Sequence, residues 1–169
     1  MKNIIVLFLF VSVLVITGFQ PSDKKDKKEK KAKQQLEMAQ LIHSGRFRFL
    51  PNSASSSIGN INSIGYGYEM VFDSLNITAN LPYYGRSYSS YYRFTGGVKF
   101  NLTARKIDKT WHERKKIYTI NFDVSENMES YSINFSAGLN GFANLKITFS
   151  DRELISYYGT IEKIETQQK

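Results

Sequence analysis

The stretch Tyr118-Thr119-Ile120-Asn121-Phe122-Asp123-Val124, followed by Tyr131-Ser132-Ile133-Asn134-Phe135-Ser136-Ala137, alternates apolar and polar residues without a break. Successive side chains of a β-strand point to opposite faces, so a period of two marks a strand with one buried face and one wet face. The pattern recurs on both sides of this pair. Upstream, Phe47 and Phe49 alternate with Arg46 and Arg48, and Tyr68, Met70 and Phe72 lead through Asp73-Ser74 into Leu75, Ile77, Ala79 and Leu81. Val98, Phe100 and Leu102 alternate with Lys99, Asn101 and Thr103. Downstream, the turn dipeptide Asn140-Gly141 introduces Ala143, Leu145, Ile147 and Phe149, and a last strand is predicted from Leu154 to Ile164 after Asp151-Arg152. The connections between these runs are short, whereas parallel pairing needs long crossovers. The expected fold is mainly β: a single antiparallel β-sandwich or partly closed barrel of about eight strands with one N-terminal helix. That helix is predicted from Leu36, Met38, Ala39, Leu41 and Ile42 at helical spacing, with Gly45 as its stop.

The chain has 169 residues and room for one domain with a sizeable core. It contains no cysteine, which removes disulfides, thiolate metal sites and cysteine nucleophiles and leaves stability to packing. Tyr (11) and Phe (12) dominate the aromatics against one Trp, in keeping with pleated, half-buried surfaces.

Residues Ile4 to Ile16 form an apolar run behind Lys2, ending in Val15-Ile16-Thr17-Gly18-Phe19, a lipobox in every position except the cysteine. A thioether-linked lipid needs a thiolate, so no lipidation is expected at Phe19. The run matches the apolar region of a signal peptide and is short for a comfortable membrane span. Export to the periplasm or envelope is therefore expected. The alternative is a single uncleaved N-terminal membrane anchor, favoured by the positive charge that follows the run. The organisation predicted is a signal peptide at 1–18, a Lys-rich linker at 19–35, the β-domain at 36–164 and a tail at 165–169.

The formal charge of +8 is concentrated: seven lysines lie between Lys24 and Lys33, facing Asp26 and Glu29. This is the pattern of a solvated tether, and secondarily of a strap to a membrane surface; no nucleic-acid partner is expected.

Two segments lack the period of two. Pro51 to Ile64 is rich in Ser, Asn and Gly and fits a loop or a weak edge strand. Pro82 to Gly97 carries Tyr83, Tyr84, Arg86, Tyr88, Tyr91, Tyr92 and Arg93. Long aromatic loops in compact domains are uncommon and serve function more often than short polar ones. Tyr offers a stiff amphipathic contact surface and Arg a forked donor, so these seven residues are the candidate site for a ligand or partner. The structural alternative is that several of these rings plug the open end of a barrel or cover an edge strand.

Catalytic signals are absent from the pattern. His43 and His112 lie far apart without further ligands, and His112-Glu113 lacks the second histidine of a metalloprotease helix, so no metal is expected. No nucleophile elbow or phosphate-cradling loop occurs, and no cofactor is expected. Asp108 with Glu113 and Asp123 with Glu126 are the local acid pairs that a glycosidase-like site would need. A non-enzymatic role is expected, either a binding module built on the Tyr/Arg loop or a structural protein that pairs through a sheet edge.

Four blocks carry a resemblance: 81–88 (Leu-Pro-Tyr-Tyr-Gly-Arg-Ser-Tyr), 96–100 (Gly-Gly-Val-Lys-Phe), 140–145 (Asn-Gly-Phe-Ala-Asn-Leu) and 155–161 (Ile-Ser-Tyr-Tyr-Gly-Thr-Ile). In this order they resemble domain of unknown function 4251, over roughly 36–164. The resemblance implies an exported, often lipobox-bearing envelope protein of Bacteroidota, and implies no activity. Phe19 departs from it, where many relatives offer the lipidated cysteine.

Overall fold

The computed structural model describes residues 22–57, 59–88, 97–126 and 129–164. The signal and lipobox positions and the 165–169 tail fall outside them. The chain divides into two units, one through Gln34 and one from Gln35 onward. Helix α1 (Ser22–Ser44) begins in the first. There the lysine tract is helical, and residues 26–34 are exposed throughout. The helix is thus longer than the apolar spacing predicts, because Lys, Glu, Gln and Ala are all good helix formers that need no buried face. No helix among the described residues is long and apolar enough to cross a membrane.

In the second unit the end of α1 buries Ile42 and lays Met38 and Leu41 against the core. Gly45 ends the helix at φ 68°, its N–H donating to the Ile42 carbonyl at 3.3 Å. Two of the last carbonyls also accept from elsewhere. Lys109 Nζ donates to the oxygens of Ile42 (2.8 Å) and His43 (3.1 Å), setting a cation at the negative end of the helix. Desolvation of that ammonium lowers its pKa.

Among the described residues ten strands follow: β1 (Arg46–Ser56), β2 (Ile61–Ser63), β3 (Glu69–Asp73), β4 (Asn76–Leu81), β5 (Val98–Thr103), β6 (Asp108–His112), β7 (Ile117–Glu126), β8 (Glu129–Gly138), β9 (Phe142–Phe149) and β10 (Ile155–Glu162). Nine run in the order β5-β4-β3-β1-β10-β9-β8-β7-β6, with β2 added to β1. Every pairing in the order is antiparallel. Two meanders are joined where the first strand meets the last, Phe49 opposite Ile161. The sheet curls into a half-barrel, the partly closed form of the expected fold.

The curl brings distant strands together over the concave face. Phe72 of β3 stacks on Phe47 at 4.6 Å and reaches Phe135 of β8 at 5.0 Å and Phe122 of β7 at 6.1 Å. Phe100 of β5 lies 5.1 Å from Tyr131 of β8. The alternation is the cause: in β9 every second residue is buried, and the same holds along β10.

The ladder includes two strands beyond the expected number. Pro51 to Ser56 continues β1 instead of leaving the sheet, and the register shift between Pro51 and Ser53 accommodates the residue that has no N–H. The Ser- and Asn-rich stretch after it supplies β2. Strand β6 is exposed along most of its length and so shows no apolar alternation.

Candidate functional site

The Tyr/Arg segment begins where β4 ends. Leu81 and Pro82 are buried, and the Pro82 carbonyl accepts a hydrogen bond from the hydroxyl of Tyr157 on β10 at 2.7 Å. Tyr157 has no exposed surface, and burial pushes its phenol pKa far above the ordinary value. One residue later Tyr83 turns inward. Its ring meets Phe149 edge-on at 5.5 Å, and its hydroxyl donates to the Glu153 carbonyl at 2.7 Å, with the Arg86 carbonyl at 3.1 Å. Burial pushes this phenol up to about 12, against the lowering influence of the Arg152 guanidinium. Gly85 makes room for the ring, since a Cβ there would overlap the Tyr83 hydroxyl and approach its Cζ to 2.6 Å.

The β9–β10 connection forms the other half of the assembly. Arg152 is buried, with its Cζ 4.5 Å from the Phe149 ring centroid and 5.5 Å from that of Tyr83, a cation–π arrangement flanked by Asp151 at 3.5 Å from Nε. Glu153 ties three segments together. Its carboxylate accepts from the Ser57 hydroxyl beyond β1 and from the Arg86 N–H at 3.1 Å, while its own N–H donates to the Arg86 carbonyl at 2.9 Å. These hydrogen bonds, Ser57 first, hold its pKa below the usual carboxylate range. Tyr88 N–H donates to the Asp151 carbonyl at 2.9 Å, and Ser87 bridges Arg152 in antiparallel fashion. Residues 82–88 are therefore not a free loop but an extra, irregular edge fastened to 151–153.

Of the predicted site residues, this framework presents three to solvent. Tyr84 is 43% exposed, Tyr88 73%, and Arg86 is exposed beside them. Tyr83 belongs to the support. Tyr91, Tyr92 and Arg93 lie outside the described residues. Arg152, Glu153, Ser57 and Tyr157 complete the assembly, and only the charged triplet Asp151-Arg152-Glu153 in a short strand connection hints at it in the sequence.

The other sequence candidates stand apart. His43 lies in the last turn of α1 and His112 ends β6, and no cluster of metal-binding side chains occurs among the described residues. Asp108 pairs with Lys106 at 2.7 Å, whereas Glu113 accepts from Trp111 Nε1 at 2.5 Å, so each acid of that pair has its own partner. Asp123 is exposed on β7, and the Glu126 side chain is outside the described residues.

No curated protein matches the chain. Its fold is similar to that of a DUF4251 family protein from Bacteroides eggerthii DSM 20697, with a TM-score of 0.61 at 12% identity, over 77% of this chain and 87% of that one. The family described as "Domain of unknown function (DUF4251)" matches residues 29–161, from the lysine tract into β10, and the chain belongs to that family.

Proposed function

We propose that the protein is exported to the cell envelope and acts there as a non-enzymatic binding module, contacting a partner through Tyr84, Arg86 and Tyr88. One observation carries the reading: the backbone under these residues is pinned by Tyr157, Tyr83 and Glu153, while the two rings and the guanidinium between them face solvent. Ordered aromatic and Arg side chains on a rigid support lose little entropy on binding, which is the economy of a paratope. The apolar run at 4–16 supports export, and the exposed lysines of α1 supply the strap to an anionic surface.

The test joins stability to contact. Tyr84→Ala with Arg86→Ala leaves the melting temperature within about 3 °C, because exposed side chains contribute little to folding. A photo-crosslinking residue at position 88, in the native host, gives a discrete adduct that the double variant loses. A folded protein without adducts, or a double variant that fails to fold, refutes the proposal. Mature protein starting at Phe19 supports export, and an intact Met1 supports the anchor instead.

A second reading has its own observation. The sheet order ends at β5 and β6, and β6 is largely exposed, so an edge is open to pairing with another chain. Sedimentation that stays monomeric across concentration removes self-association.

A further inference from the structure

The end of the half-barrel away from the tyrosine segment holds a cleft of about 260 Å³. Strand β4 runs from the Ser74–Leu75 turn at the cleft to Leu81, where the tyrosine segment starts, so the two features lie at opposite ends of one strand. The cleft is walled by Phe47, Phe72, Leu75, Ile107 and Ile120, with Lys109 among them.

Lys109 is out of keeping with its place. It pairs directly with Ile120 in the β6–β7 ladder, and residues opposite one another in an antiparallel pair project to the same face. Ile120 is buried on the concave face, so the lysine, itself exposed on this edge strand, shares a face with apolar side chains. Its ammonium has three donors, and two are spent on the Ile42 and His43 carbonyls. The third remains for an acceptor in the cleft. Among the described residues no ion pair joins Lys109 to an acid, and the adjacent Asp108 is paired with Lys106.

We infer that this cleft binds a small amphipathic monocarboxylate, its apolar tail against Phe47, Phe72 and Ile120 and its carboxylate on Lys109 Nζ. Size sets the class: the volume falls just below the roughly 300–1,000 Å³ of ordinary ligand pockets, which suits a short chain and not a bulky one. Charge sets the head group. A cationic head would meet the ammonium directly, and a neutral one would forgo the charge-assisted bond. The inference is independent of the tyrosine surface and survives its failure.

Isothermal titration of the full chain with octanoate tests it, with octylamine as the opposite-charge probe. The expected result is saturable one-to-one binding of octanoate and none of octylamine. Lys109→Met weakens octanoate binding by about ten- to a hundredfold, the worth of a hydrogen bond to a charged group. Because that change also uncaps α1, Leu75→Trp provides a second variant that fills the cleft and leaves the lysine in place; it abolishes binding while circular dichroism stays that of the parent. Absence of saturable octanoate binding to the parent overturns the inference. So does equal binding of octylamine, or parent-level affinity in both variants.

Discussion

Replacing Tyr157 by Phe removes a single oxygen from the interior and tests whether the tyrosine segment is fastened as described. The ring is fully buried between β1 and β9, opposite Ala54 and Leu145, and Phe retains that packing. What is lost is the 2.7 Å hydrogen bond to the carbonyl of Pro82, itself buried. An acceptor stranded away from water costs its desolvation, about 1–3 kcal/mol, which exceeds the net worth of an ordinary exchangeable hydrogen bond. For a domain of this size each kcal/mol moves the melting temperature by about 4 °C, so a fall of roughly 4–12 °C is expected in calorimetry. Tyr83→Phe costs less, about 0.5–1.5 kcal/mol, since its ring is only half-buried. Both hydroxyls hold one segment, so the double variant is expected to lose less than the sum of the singles. Amide exchange at residues 83–88 rises in each variant. A loss below about 0.5 kcal/mol for Tyr157→Phe refutes the reasoning, because it means that water reaches Pro82 and the segment is not sealed.

The same two phenols make the fold sensitive to alkali: both folded pKa values are raised, so their contribution is fully present below the ordinary value of 10.0 and is lost as pH rises above it. Stability measured by denaturant from pH 9 to pH 11.5 should fall, with a slope approaching about 1.4 kcal/mol per pH unit from Tyr157, and Tyr157→Phe should flatten it. Glu153 has the opposite sign. Its folded pKa is depressed below 4.5, so its hold on Ser57 and Arg86 is complete above that value and lost as pH falls through the folded value. The Arg86 amide resonance should titrate with a midpoint below 4.5, and Glu153→Gln should abolish that titration; a midpoint at or above 4.5 contradicts the clamp. Gly159→Ala should destabilise by about 3 kcal/mol in urea titration, because a Cβ would overlap the Leu50 carbonyl and come within 2.7 Å of Pro51 Cα, and backbone across a ladder cannot step aside. A loss under about 1 kcal/mol would show that the bulge between Pro51 and Ser53 yields.

What could be read along the chain depended on whether a strand has two different faces. In β9 and β10 one face is core and the other solvent, and the alternation of Ala143, Leu145, Ile147 and Phe149 states this locally. Strand β6 has no such contrast: its residues are exposed or half-buried, its ladder to β7 is made by backbone groups common to all residues, and Lys109 stands opposite the buried Ile120 without an apolar signature. The lysine tract of α1 is helical for the same kind of reason, because helix formation there needs propensity and no buried stripe. The tyrosine segment shows a deeper limit. Nothing in the order Tyr83, Tyr84, Tyr88 says that the first turns inward and the other two outward, since that choice is made by Glu153, Arg152 and Tyr157, at least 64 residues away in sequence. Those residues arrive beside it because β10, besides pairing with β9, also pairs with β1, the strand through which β3 and β4 join the sheet. Alternation fixes which side chains of a strand are covered, whereas the closing pair of the two meanders fixes which loops meet. The surface offered by Tyr84, Arg86 and Tyr88 is therefore a product of topology, and weakening the β1–β10 seam at Gly159 should disturb it before it disturbs the phenylalanine core.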